Sequence, residues 1–410
     1  MSINKTSGLF TLCFLLIAQI AGAQTAYIAN SETSNVFVID LITNKAIDTI
    51  DVGHAPLGVA VSPDGNRIYV ANFGANSVSV IDAFTNTVIT TIPVYEYPQA
   101  ICVSPDGNTI YVTNRGTNTV SVIDVNNYIV LETIYVDEYP YGICINPSGT
   151  EVYVTNSGSN IVSVISTINN MVISNILVGD SPQGIAVSPD GTKVYVANTA
   201  SNSLSIIDAL NYYAISTLVV GNGPTGVNIS PDGSKIYVTN YSDNSVSVID
   251  AITATVENEI VVGNGPAAIS QSPDGSMVYV VNANENTISI INAANNYVEN
   301  TIVAGDAANF LGNFISPYTN TITAVSLLNN TSDRISISPN PLHTQATISF
   351  SEEQTNTTIT ITDLLGHEVK TLRFSGKQCN LEKGEMNEGV YVVQIIDENQ
   401  HVENRKIVVQ

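Results

Sequence analysis

Seven positions spaced 42 residues apart hold the side chains best suited to chemistry in this sequence: His54, Glu96, Glu138, Asp180, Asn222, Asn264 and Asp306. Tyr95, Tyr97, Tyr139 and Tyr141 crowd the same sector, so one side of the set carries carboxylates and phenols while the opposite side is nearly bare. Two carboxylates such as Glu96 and Glu138 held roughly 8 Å apart repel by about 2 kcal/mol at an effective dielectric near 20. A bound cation relieves that cost, and oxygen ligands of this kind suit Ca²⁺ or Mg²⁺ over softer metals. Glu96, Glu138 and Asp180 are therefore the candidate metal ligands. His54, Tyr97, Tyr139, Tyr141 and Arg115 complete a candidate ligand site, in which Arg115 could instead neutralise one carboxylate. A solvated acidic rim is the plain alternative to a site.

The elements that must position these residues follow from the same period. Tyr27, Tyr69, Tyr111, Tyr153, Tyr195, Tyr237 and Tyr279 mark seven copies of one unit without insertion or deletion. Each unit holds four short period-2 runs divided by turn chemistry, an all-β signature. In the second unit these are strand a over residues 56–62, b over 67–72, c over 77–82 and d over 87–93. Pro63-Asp64-Gly65 closes the a-to-b hairpin and Thr85-Asn86 marks the c-to-d turn. Strand a alternates branched residues with small ones (Gly58, Ala60, Ser62), as sheets converging on an axis require. Seven four-stranded units specify a seven-bladed β-propeller. The chain enters at strand b, so the missing strand a of the first blade is expected over residues 310–316, closing the ring beside 26–30. The d-to-a turns, with the seven chemical positions, then lie at the mouth of the central channel, on the face that also carries Arg115. The repeated Tyr of strand b packs between blades, and the repeated Asn30, Asn72, Asn114 and equivalents bond turn backbone.

Residues 1–23 read as a secretory signal peptide: Lys5, an apolar run from Leu9 to Ile20 too short to span a bilayer, then Ala21-Gly22-Ala23. The propeller is assigned to 24–327 and a polar linker to 328–333, and the mature chain has no membrane span. Beyond the linker the period is gone and short strands with turns describe a small Ig-like β-sandwich over 334–410. Cys102 and Cys144 occupy equivalent positions in adjacent repeats, roughly 10 Å apart by sheet spacing and out of disulfide reach. Both are read as small core residues.

The net charge is −23, and residues 24–327 hold 5 basic against 25 acidic residues. Nucleic acid and anionic membrane surfaces are excluded as partners, because both need cations to displace counterions. Phosphate-loop, zinc-protease and nucleophile-elbow motifs are missing. With no Trp, the Trp-Asp dipeptide of WD40 blades is excluded too.

Tyr111-Val112-Thr113-Asn114 and Tyr237-Val238-Thr239-Asn240, with Ser-Pro-Asp-Gly before and Val-Ser-Val-Ile-Asp after, resemble the YVTN-family β-propeller repeats of bacterial and archaeal surface proteins. Ser338-Pro339-Asn340-Pro341, Asp363-Leu364-Leu365-Gly366, Gly389-Val390-Tyr391 and the Lys406-Ile407-Val408-Val409 ending resemble the type A sorting domain of the type IX secretion system. That resemblance implies passage across the outer membrane through the secretion machinery, to a secreted or cell-surface location. The expected role is a non-catalytic binding scaffold for a surface protein, glycan or ion. A lactonase-like metal-assisted hydrolase and a structural surface-layer protein are the alternatives.

Overall fold

The computed structural model describes residues 25–305, 314–316, 335–338, 342, 344–362, 368–384, 386, 389–396 and 402–409. The expected signal peptide and linker, Asp306, and residues 310–313 of the expected closing strand lie outside the described residues. The chain divides into two compact units, one ending near residue 320 and the other holding the C-terminal strands.

The first unit opens with β1 (Thr25–Asn30), β2 (Asn35–Asp40) and β3 (Lys45–Asp51), an antiparallel sheet in that order. β4 (Pro56–Val61), β5 (Arg67–Asn72), β6 (Ser77–Asp82) and β7 (Thr87–Pro93) form the first complete four-stranded blade. The same a-b-c-d order then recurs in five further sheets, the last ending at Tyr297–Val303. Closure comes from the far end of the unit, as expected: Tyr27 N–H donates to Phe314 O (2.9 Å), and Ser316 N–H donates to Thr25 O (3.0 Å). Ala26 and Ile315 form an isolated bridge between them, so residues 314–316 pair along the inner edge of the three-stranded first blade. One core cluster joins Tyr279 and Ile290 of the last blade to Tyr27 and Ile39 of the first and Val59 of the second, which closes the ring.

Strands b and c depart from strict alternation. In β5 every residue after Arg67 is buried, because neighbouring blades cover both faces, and such strands read as continuous apolar runs. Only the outermost strand d faces water; in β7 Ile92 is the one buried side chain. The repeated Tyr packs between blades, as Tyr69 does against Ile101, Ile110 and Val112 of the next sheet.

The repeated Asn does something other than cap a turn. Asn72 is fully buried, and its Nδ2 donates to Ser77 Oγ (3.1 Å) and Ser79 Oγ (2.9 Å) of strand c. Asn114, Asn198, Asn240 and Asn282 repeat the pair of bonds on their own hydroxyl residues. The Val-Ser-Val pattern of strand c is therefore apolar packing interleaved with an Asn-bound hydroxyl.

Thr of the Tyr-Val-Thr-Asn stretch has an equally definite use. Thr155 Oγ1 accepts from Gly142 N–H (2.8 Å) in its own blade and donates to Gln183 O (2.7 Å) in the next. Thr113 links Ala100 N–H to Tyr141 O in the same way. A small residue is required between: a Cβ on Gly142 would stand 2.2 Å from Gln183 O, and one on Gly184 2.1 Å from Thr225 O.

The a-to-b turn is closed by an aspartate. Ser230 Oγ donates to Asp232 Oδ1 (2.5 Å), the Ser234 N–H donates to the same oxygen (3.0 Å), and Gly233 takes φ 72°. In the fourth repeat Asn146 replaces the Ser and accepts from Thr150 N–H and Glu151 N–H, so that turn carries no carboxylate.

The C-terminal strands are β28 (Ile335–Ser338), β29 (Gln345–Thr362), β30 (Glu368–Glu382), β31 (Gly389–Ile396) and β32 (Val402–Val409). They form one sheet, ordered β28-β29-β31-β32 with β30 also on β29. Buried positions in β29 run 346, 348, 350 and then 357, 359, 361, switching parity across the irregularity between Ser349 and Thr357. Both halves of the long hairpin thereby turn apolar residues to one core with Tyr391, Ile395 and Ile407.

Two outcomes follow. Thr155→Val keeps the shape but strips two buried backbone groups of their partner, and should lower propeller stability by about 1–3 kcal/mol, read from the denaturant midpoint. The Ser230 hydroxyl, with the Ser234 N–H and hydroxyl, lowers the Asp232 carboxyl to about 2 in the fold. A depressed carboxyl stabilises the fold above its unfolded value near ~3.9 and loses that contribution as pH falls toward about 2. Melting temperature should drop through this window, and Asp232→Asn should both lower it at neutral pH and flatten the acid slope.

Candidate functional site

The d-to-a and b-to-c turns share one end of the propeller, stapled backbone to backbone. Gly116 N–H donates to Glu96 O, Gly158 N–H to Glu138 O and Ala200 N–H to Asp180 O (3.0–3.1 Å). This places His54, Glu96, Glu138, Asp180, Asn222 and Asn264 on one rim, all exposed. They do not form a coordination sphere. Among the described residues no three His, Cys, Asp or Glu side chains come together as a metal-holding group. Successive members belong to successive blades, and their polar partners lie in the adjoining loops: Asp180 Oδ1 accepts from Asn160 Nδ2 (3.0 Å), and Asn264 Nδ2 donates to Glu285 Oε1 (2.7 Å).

Arg115 makes no ion pair with Glu96 or Glu138 among the described contacts; its guanidinium sits over the Tyr139 ring, 5.4 Å from the centroid. Cation–π placement of this kind leaves the charge facing solvent. Tyr97 stacks on Phe73 with centroids 4.9 Å apart. Both tyrosines have left-handed backbones, φ 56° and 55°, at the position filled by Gly223 and Gly265 in later repeats. A bulky L-residue there costs roughly 1–2 kcal/mol. Their N–H groups are held by Asn76 Oδ1 and Asn118 Oδ1, each at 3.0 Å. The rim of blades two to four thus carries a fixed strip of Phe73, Tyr97, Arg115 and Tyr139, with Tyr97 and Tyr139 about half exposed.

Inside the rim lies a cavity of about 240 Å³, lined by one residue from each of six innermost strands: Leu57, Gln99, Tyr141, Gln183, Thr225 and Ala267. Of the residues anticipated from sequence, Tyr141 alone reaches it. The others were not anticipated because they sit three residues after the rim position, inside a break in the a–b ladder, between Pro98 and Ile101 in one blade and Pro182 and Ile185 in another. A bulge re-aims a side chain. The signal that would reveal them is the contrast between this freely varying position (Leu, Gln, Tyr, Gln, Thr, Ala) and the Pro and Gly or Ala on either side of it.

No charged side chain lines this cavity. Burial pushes the Tyr141 phenol above its ordinary range, with the Arg115 charge pulling the other way and Tyr241 adding to the rise, so the phenol stays a neutral donor. Gln99 is 6 % exposed, and its carboxamide has no hydrogen-bond partner among the described residues. At the mouth, Tyr241 Oη donates to Asn284 Oδ1 (3.0 Å), fixing a second ring beside the opening. Cys102 and Cys144 line a separate cavity of about 410 Å³ along the channel; both are free thiols, pushed up by burial.

Residues 336–410 match the family described as Secretion system C-terminal sorting domain, and residues 31–149 match the YNCE-like beta-propeller family. Among solved structures, Kuenenia stuttgartiensis Hydrazine Synthase is similar at 23 % identity and a TM-score of 0.59, over 64 % of this chain and 90 % of that one. A functionally unknown protein from Desulfotomaculum acetoxidans is similar at 16 % identity and a TM-score of 0.64, over 72 % and 98 %. At these identities the likeness is one of fold. No curated protein matches. The chain folds as a seven-bladed β-propeller, of which residues 31–149 match the YNCE-like model, and residues 336–410 match a secretion-system sorting domain, which supports secretion or a cell-surface location.

Proposed function

We propose that this secreted or cell-surface propeller is a non-catalytic binding module, and that it holds its ligand on the channel-mouth face. The observation that carries this reading is the fixed strip Phe73, Tyr97, Arg115 and Tyr139 on the propeller end whose inner strands line an uncharged cavity. Two tyrosines occupy a left-handed backbone position that Ala55, Ser181, Gly223 and Gly265 fill with small residues in the other repeats. Strain retained at an exposed site, where packing does not demand the side chain, fits a recognition role. Aromatic residues and arginine on a rigid loop platform also supply contact area at small entropic cost. The propeller is the rigid scaffold, and the sorting domain delivers it through the secretion machinery.

The test uses the full chain on an array of glycans and surface glycoproteins, alongside a panel of lactones and esters. Binding without turnover is expected. Tyr97→Gly with Tyr139→Gly should relieve the backbone and leave the unfolding midpoint no lower, yet weaken array binding at least tenfold. Hydrolysis of the lactone panel well above background, or array binding that the double variant leaves unchanged, overturns the reading.

A further inference from the structure

The cavity beneath the rim has its own chemistry. Its volume of about 240 Å³ falls below the ~300 Å³ at which drug-sized pockets begin, so it admits one small ring rather than a chain segment. The Thr199 hydroxyl, also in the lining, donates to Pro224 O (2.7 Å) and keeps acceptor capacity, while the Thr225 hydroxyl is shared between Pro266 O (3.1 Å) and the Thr239 hydroxyl (2.9 Å). The carboxamides of Gln99 and Gln183 each bring donor and acceptor capacity, and neither has a partner among the described residues. Both residues line the cavity, so a ligand there can bond their carboxamides without displacing a protein partner. Tyr141 and Tyr241 add aromatic surface beside these polar groups.

Charge narrows the ligand further. An anion would meet no cationic side chain in the lining, inside a repeat region that stands near −20. Nor does a carboxylate line the cavity to pair with a cation. What remains is a compact, uncharged molecule rich in both donors and acceptors, with an apolar face for a tyrosine ring.

Resting on the reading of this face as the binding surface, we infer that the channel-mouth cavity is a subsite for a single neutral sugar residue, bonded by Gln99 and Gln183 and stacked against Tyr141. The rim strip then contacts whatever the sugar is attached to. An acidic sugar of the same size is rejected, because its carboxylate would be buried unpaired.

Calorimetry on the full chain with methyl glucoside, methyl galactoside and methyl mannoside tests this, with glucuronate and choline as charged comparators. For so few ligand atoms, a roughly millimolar Kd is expected for at least one neutral glycoside. Both comparators should bind at least tenfold more weakly, and Gln99→Leu should lose at least tenfold in affinity at an unchanged melting temperature. Gln183→Leu is the second variant should Gln99→Leu fold poorly. Binding of glucuronate or choline as tight as that of the glycosides, no glycoside binding up to about 50 mM, or full affinity in a folded Gln99→Leu or Gln183→Leu chain overturns the inference. Array binding that disappears in the rim double variant but survives in Gln99→Leu removes the sugar subsite while leaving the binding face intact.

Discussion

The ring depends on how closely the innermost strands of adjacent blades approach one another at the axis. At Gly142 and Gly184 the neighbouring blade's carbonyl oxygen stands where a side chain would begin. That proximity brings each carbonyl within reach of a threonine hydroxyl one blade back, as with Thr155 and Gln183. The amide freed by the bulge, Gly142 N–H, takes the other side of the same hydroxyl. One side chain therefore satisfies two buried backbone groups that would each otherwise cost free energy. The close approach and the hydrogen bond require each other: a larger residue would push the blades apart and leave the carbonyl unpaired.

The same constraint shapes the mouth. Because the axis admits only small residues at the Gly58-type position, the bulged residue before it becomes the first side chain free to differ between blades. It also faces the cavity. Variable side chains and scaffold side chains are thus neighbours in sequence but separate in energy. Leu57, Gln99, Tyr141 and Gln183 differ widely, while the glycine or alanine after each stays small. The d-to-a turn offers two more tolerant positions, the exposed rim residue and the left-handed residue that follows it. The second carries a cost when it is not glycine, and Tyr97 and Tyr139 show that cost being met by ring contacts with Phe73 and Arg115.

Much of this architecture is legible in the sequence. A 42-residue period, one proline-aspartate-glycine turn per unit and a missing first strand define the blades and their closure, because equal spacing forces equal environments. The rim was legible for the same reason: a turn position stays a turn position in every copy. Other features were hidden. Asn72 reads as a turn residue from its neighbours, yet it lies inside the sheet and bonds strand-c hydroxyls, since burial on both faces leaves no water to serve it. The metal reading of Glu96, Glu138 and Asp180 assumed that equivalent residues converge. Equivalence guarantees only a circle, and among the described residues no three of these carboxylates gather as a metal-holding group. Residues meet where the radius is smallest, and which residue points there is decided by a bulge that periodicity does not reveal.

Radius therefore decides what kind of ligand each layer of this face can hold. Side chains at the outer rim stand apart and act singly, so charges there set the surrounding potential and contact extended surfaces. Side chains at the bulge position act together on one small body. Fully bonded carboxamides and hydroxyls at that radius would serve only to plug the channel. Gln99 and Gln183 line the cavity from that position, whereas the repeated Thr hydroxyls bond backbone between blades and the repeated Asn amides bond strand-c hydroxyls. The position that varies in chemistry is thus the one on which the scaffold makes no demand, and it is the one that lines the small central cavity.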